Sequence, residues 1–406
     1  MARNISISDY TYVLPDEKIA KFPLAQRDLS KLLIYQNADI KESIFKNINQ
    51  YLPQNSTLVF NNTKVVCARL IFERENATKP IEIFVLEPAT NIPMEAAMLQ
   101  KGKATWVCLV GNNRKFNSDF IEKRFTFEGN ELYIKAYKPV IKGDSFEVSF
   151  EWNEDITFAE VLNFAGIIPL PPYLKRVPDE NDKSRYQTVY AHHEGSVAAP
   201  TAGLHFTNEI LSELKQSGHS IAELVLHVGA GTFKPVKAET MENHEMHSEE
   251  IAISKATLVH LIHHVNNIIA VGTTSLRTLE SLFWFGLKLK LFPNEKLTNL
   301  DVKQWDAYDL EVPEGFRYAD ALNEIVAMMD RNNLQTLTGK TQLMIAPGYS
   351  IRAIKGIITN FHQPDSTLLL LIATVIGENW RKVYEYALNN NFRFLSYGDS
   401  SLLLRE

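Results

Sequence analysis

The chain has two cysteines in 406 residues, Cys67 and Cys108, and they form no CxxC pair. That excludes a disulfide framework and a thiolate zinc site, and it suits a reducing compartment. No apolar run reaches the roughly 18 residues that a membrane span needs. The longest, at 368–376 (LLLLIATVI), stops at Gly377 and reads as a buried strand or helix. The opening MARNISISDY has no apolar signal core, so a cytoplasmic location is expected. No G-x-S-x-G elbow surrounds Ser196 or Ser275, which argues against a serine hydrolase. The GAG at 229–231 lacks the third glycine and the following helix pattern of a dinucleotide fingerprint. Charge of one sign is also modest, at −6 net.

What is present is an ordinary globular composition, 45% hydrophobic and 22% charged, long enough for two or three domains. Between residues 66 and 150 short alternating runs (IEIFVLEP, ATWVCLV, ELYIKAY, SFEVSFEW) predict antiparallel strands, folded as a small barrel. On either side, apolar strands alternate with helical patterns, as at 221–226 and 268–271, which predicts an α/β layer with parallel strands. The fold expected is a larger α/β domain, residues 1–65 and 151–406, with an inserted antiparallel β-barrel domain over 66–150. Residues 286–340 carry no chemical motif and read as an accessory insertion. Charge is uneven: 101–142 is +5, leaving −11 elsewhere, so this segment is either a landing site for phosphates or a solvated sheet face.

Two runs carry the strongest chemical signal, SVAAPTAGLHFT at 196–207 and LHVGAGTFKPV at 226–236. Small residues let a backbone approach a ligand closely, and each run also offers hydroxyls and a histidine. A third run, IIAVGTTSLR at 268–277, reads as a strand ending in Gly272 and three hydroxyls opening a helix, suited to capping and to an anion. His244 and His247 have HxxH spacing, which raises zinc. Histidine serving proton transfer near pH 7 is the competing reading, and no metal is expected. YLKRVPDENDKSRYQTVY at 173–190 mixes basic residues with tyrosines, which suits phosphate contact and base stacking or merely an anchored loop.

Together these segments resemble the S-adenosylmethionine:tRNA ribosyltransferase-isomerase family of queuosine biosynthesis. The resemblance also rests on YVLPDEKIAKFPLAQRDLSKLL, LVFNNTKVVCARL, MHSE, TNFHQPDSTLLLL and RFLSYGD, in order from residue 10 to residue 399. Two departures are a longer stretch at 286–340 and Gln363 where an aliphatic residue is common. The resemblance implies a transferase moving the ribosyl unit of S-adenosylmethionine onto a 7-aminomethyl-7-deazaguanine at the tRNA wobble position, with the donor consumed as a substrate and no other cofactor. Partners expected are that tRNA and S-adenosylmethionine, without a membrane, the protein acting as a monomer. Proton transfer is expected of His205, His227 and His247. Substrate contact is expected of Arg27, Asn61, Asn62, Arg69, Arg176, Tyr186, Thr201, Gly203, Gly229, Gly231, Thr232 and Glu249. It is equally expected of Thr273, Thr274, Ser275, Arg277, Asn360, His362, Tyr397 and Asp399. Lys175 and Arg185 join Arg27, Arg69 and Arg176 as partners for phosphates or the methionine carboxylate. A non-catalytic RNA-binding scaffold would explain the basic segment but not the histidine-bearing loops, and an HxxH hydrolase would require bound zinc.

Overall fold

A computed structural model describes residues 2–73, 79–90, 92–127, 129–229, 238–295 and 297–405. Its larger sheet has ten strands, in the spatial order Leu300–Val302, Thr336–Thr341, Glu249–Ser254, Ser220–His227, Thr57–Asn61, Ile268–Val271, Gly356–Asn360, Ser400–Leu404, Lys31–Gln36 and Asp39–Ile44. The strands Thr57–Asn61, Ile268–Val271, Gly356–Asn360 and Ser400–Leu404 are buried at every position. Strands covered on both faces need not alternate, which is why 268–271 reads as a continuous apolar run in the sequence. Side chains still alternate between faces. Leu33, Val59, Ala270 and Ile357 enter one core, while Leu32, Leu58, Ile269 and Ile358 enter another.

The parallel layer that the sequence predicts forms the middle of this sheet, and two further parallel pairs lie toward its margins. Ser220–His227, Thr57–Asn61, Ile268–Val271 and Gly356–Asn360 run parallel to their neighbours in that group. Glu249–Ser254 and Ser400–Leu404 pair antiparallel on either side of it, so the sheet is mixed. The four parallel strands therefore end along one edge, at His227, Asn61, Val271 and Asn360. In open α/β sheets that edge is where ligands bind.

The second large sheet has eight strands, all paired antiparallel and drawn from Arg69–Phe72 through Ser145–Trp152, with Gly166–Ile167 added at one end. It has a core of its own around Trp106, Phe150 and Phe158. Helix Phe158–Ala165 belongs to that core and starts with a Thr157–Glu160 capping box. The sheet curls, because Lys123 in Phe120–Phe127 at one end donates to the Ala165 carbonyl beside the strand at the other end (2.7 Å). Among the described residues the two end strands do not pair, so the curl is a half-barrel and not a closed ring. The sheet reaches past residue 150 to Ile167, and its core takes in Ala165 and Val197.

Residues 286–340, expected to be accessory, share the main core. Helix Thr273–Leu291 runs into the stretch, and helix Tyr318–Arg331 packs on it so closely that a Cβ at Gly286 would lie 2.2 Å from the Ala321 carbonyl oxygen. Strands Leu300–Val302 and Thr336–Thr341 complete one margin of the ten-stranded sheet. No described helix is long and apolar enough to cross a membrane.

Candidate functional site

A cavity opens at the edge where the parallel strands end. After Val271 the chain turns through Gly272, whose φ of +89° would strain any side chain, and enters helix Thr273–Leu291. Gly272 places no side-chain cap on that helix, so its first backbone N–H groups have no partner within it. After Asn360 the chain turns again, and Ser366 caps helix Thr367–Ile376 by accepting from the Leu369 N–H (3.2 Å). Gly272, Thr273 and Thr274 line the cavity on one side, residues 359–368 on another. Two helix N-termini thus face the same space and favour an electron-rich or anionic group there.

The remaining walls come from residues 198–202, from His244, Met246, His247 and Glu249, and from Tyr173, Tyr186 and Ser396. Glu249 and Arg277 form a mostly buried ion pair in the wall (3.0 Å). Among the described residues, two buried polar atoms of lining residues have no hydrogen-bond partner, Thr274 Oγ1 and Asn360 Oδ1. Buried polar groups are normally paired, and leaving one unpaired costs about 1–3 kcal/mol. Two on one cavity mark a wall that a ligand completes.

The histidines separate into two groups. His244, His247 and His362 line the cavity. His362 is held by Thr359 Oγ1 at its Nε2 (3.0 Å), and burial pushes it down to about 4, so it is neutral at pH 7. His205 and His227 lie behind the wall. Asn360 Nδ2 donates to the Leu395 carbonyl (3.1 Å) and to His205 Nε2 (3.2 Å), so His205 carries its proton on Nδ1, toward Ser30 Oγ (2.8 Å). Burial, with Arg393 nearby, lowers His205 to about 3. His227 Nδ1 meets Thr63 Oγ1 (2.9 Å), and burial lowers it to about 4. Among the described residues no group of three or more His, Cys, Asp or Glu is arranged to hold a metal ion, so the HxxH pair stands without further ligands.

Of the other residues expected to contact substrate, Tyr186, Thr201, Glu249, Thr273, Thr274, Arg277 and Asn360 line the cavity. Ser275 instead donates to the Val271 carbonyl (2.9 Å). Asn61 spends its amide on Leu226 and on the Thr63 N–H, locking the strand end. Asn62 donates to Glu223 (2.9 Å). Arg69 pairs with Glu82 (2.6 Å) on the curled sheet. Arg176 forms a two-pronged pair with buried Asp182, which also accepts from Tyr397 Oη (2.7 Å). Lys175 pairs with Asp16 (2.6 Å). Asp399 accepts from the Lys31 and Arg393 N–H groups and pairs with the Arg393 guanidinium. Gly203 is required by packing, since a Cβ there would sit 1.9 Å from Tyr190 Oη. At Gly229 a Cβ would meet nothing within 4 Å. Gly231 and Thr232 lie outside the described residues. Among the described residues the Arg27 guanidinium bonds the Gln187 carbonyl (3.1 Å), and it lines a smaller second cavity with His205.

Sequence reasoning missed Tyr173, Met246 and Ser396 as lining residues. Tyr173 Oη bonds Ser396 Oγ across the cavity floor. The available signals were Tyr173 at the start of YLKRVPDENDKSRYQTVY and Ser396 within RFLSYGD.

The chain matches the model of the family described as "Queuosine biosynthesis protein" over residues 7–403. It belongs to this family. A relative from Caldanaerobacter subterraneus subsp. tengcongensis is 36% identical over 403 residues, covering 98% of this chain and 99% of its own. One from Halothermothrix orenii is 35% identical over 407 residues, covering 98% and 100%. Both are named S-adenosylmethionine:tRNA ribosyltransferase-isomerase. A solved structure of the S-adenosylmethionine tRNA ribosyltransferase from Thermotoga maritima is 26% identical, with a TM-score of 0.46 over 98% of this chain and 100% of that one.

Proposed function

We propose that this protein is an S-adenosylmethionine:tRNA ribosyltransferase-isomerase. It moves the ribosyl unit of the donor onto 7-aminomethyl-7-deazaguanine at the tRNA wobble position, giving epoxyqueuosine, adenine and methionine. The observation that carries this reading is convergence. Segments far apart in the chain, PTAGLH, MHSE, GTTSLR and TNFHQPDST, each place residues on one cavity. The curled antiparallel sheet, with its separate core, supports reading that part as a module inserted into the mixed-sheet domain.

The reaction needs a base for the ribose proton next to sulfur, which the sulfonium acidifies, and an acid to assist the departure of adenine. His247 lines the cavity and is exposed, so we assign it proton transfer. His205 and His227, neutral and hydrogen-bonded behind the wall, hold Asn360 and the strand ends in place. The unpartnered Thr274 and Asn360 oxygens accept from donor groups of substrate, and the helix N-termini favour its carboxylate or electron-rich atoms. S-adenosylmethionine is spent as a substrate, with no other cofactor.

The test is incubation with tRNA carrying the aminomethyl base and with S-adenosylmethionine, followed by nucleoside mass analysis. Epoxyqueuosine with one adenine released per turnover is the expected result. A methylated nucleoside would defeat the reading.

A further inference from the structure

The smaller cavity lies beside the main one, and Ser396 contributes to both. Arg27, Arg185 and Arg393 line it, with Ser30, His205 and Tyr397. Among the described residues no carboxylate lines it. Arg393 is paired with Asp399 (2.9 Å). The other two guanidiniums have no carboxylate partner among the described residues. Arg27 donates to the Gln187 carbonyl (3.1 Å), and Arg185 to the Leu24 and Ala25 carbonyls. Arg185 Nε is buried and has no hydrogen-bond partner among the described residues. Burial and the nearby Arg185 charge both weaken the hold of Arg27 on its proton.

Half-buried cations without counter-charge are costly, and a fold that gathers them around one opening is built for an anion. The donor set fits a tetrahedral oxyanion. Guanidinium forks match phosphate oxygens. Ser30 adds a further donor, because its oxygen accepts from His205 Nδ1 (2.8 Å) and its own hydrogen is left to point elsewhere.

We propose that this arginine-lined cavity binds a phosphodiester of the substrate tRNA, next to the nucleotide whose base enters the main cavity. The proposal rests on the tRNA-modifying reading above. A carboxylate of the donor has similar chemistry, but the main cavity already offers two helix N-termini for it. The smaller cavity is left for an anion arriving on a separate part of the substrate.

The experiment compares wild type with Arg27→Gln, whose guanidinium makes a single described hydrogen bond. The readouts are the tRNA Kd across KCl concentrations and the KM for S-adenosylmethionine. Expected are a Kd at least tenfold weaker, a log–log salt slope reduced by about one, and a donor KM within twofold of wild type. Arg27→Lys should recover part of the affinity. A raised donor KM with unchanged tRNA Kd would assign the cavity to the carboxylate and overturn the proposal. Unchanged values of both would overturn it too. Ethylation interference on wild-type enzyme gives a reading independent of any folding defect: blocked phosphates should fall within about two nucleotides of the wobble position, and their absence there overturns the site. Wild-type turnover measured in parallel separates the claims, since turnover with an unaltered Arg27→Gln complex removes the phosphate site and leaves the activity standing.

Discussion

The two large sheets use their polar residues in opposite ways. Along the curled antiparallel sheet, charges pair with one another near the surface: Arg69 with Glu82, Arg124 with Glu122 and Glu131, Lys142 with Glu147. At the strand ends of the mixed sheet, Thr274 Oγ1 and Asn360 Oδ1 are buried around a cavity with no hydrogen-bond partner among the described residues, and Arg27 and Arg185 beside it have no carboxylate partner among them. A satisfied surface has little left to offer a ligand, whereas an unsatisfied interior gains from one. The excess positive charge at 101–142 is thus a weaker pointer to RNA than it is in the sequence. Lys101, Arg124, Lys135 and Lys142 all face carboxylates, and Lys123 is spent on a carbonyl.

If the mixed-sheet edge is where chemistry happens, changes there dominate. His247→Gln should lower kcat for adenine release by about 100-fold or more without changing the melting temperature. Adenine release at the wild-type rate would move proton transfer to another group. Arg277→Met should take the guanidinium from buried Glu249 and cost about 3–5 kcal/mol in a urea melt. The double variant Glu249→Gln with Arg277→Met should regain most of that stability and still fail to turn over. If its activity returned, the pair would be purely structural.

The contrast between sheets also marks what the sequence made legible. Gly272 followed by three hydroxyls announced a strand, a turn and a helix opening, and all three are present, because φ, capping and periodicity act locally. The antiparallel alternation was visible for the same reason. What local signals do not carry is which partner a polar side chain finds. Arg176 and Arg185 look identical in YLKRVPDENDKSRY, yet one is neutralised by Asp182 six residues on and the other reaches back to the Leu24 carbonyl. His205 and His247 both sit in histidine-bearing motifs, but only the fold puts Asn360 between His205 and the cavity. Residues 286–340 lacked chemistry and so read as accessory, although their apolar positions, such as Leu287, Leu300 and Ile325, belong to the main core.

The buried imidazoles sharpen the comparison through pH. His205 is lowered to about 3, and His227 and His362 to about 4, chiefly by burial. Each binds its proton in the unfolded chain near 6.5 but resists it when folded. The stability they contribute is therefore full above that value and is lost as pH falls toward 4, by about 1.4 kcal/mol per pH unit for each histidine. Urea midpoints measured at pH 7.5, 6.0 and 4.5 should fall steeply across that window. His362→Gln should flatten the fall. An equal slope in the variant would assign the acid sensitivity to other groups.

The smallest effect is expected on the curled sheet. Arg124 sits on a strand with a 61% exposed side chain and bonds Glu122 at 2.7 Å and Glu131 at 3.1 Å. In high dielectric such pairs recover little more than the entropy spent on ordering two long side chains, and salt screens the remainder. A double-mutant cycle of Arg124→Ala with Glu131→Ala should give additive effects on stability, with tRNA affinity unchanged. A loss of affinity in Arg124→Ala exceeding that in Arg27→Gln would reverse the assignment of the two surfaces. It would make the exposed face of the half-barrel, and not the arginine-lined cavity, the place where the tRNA backbone is held.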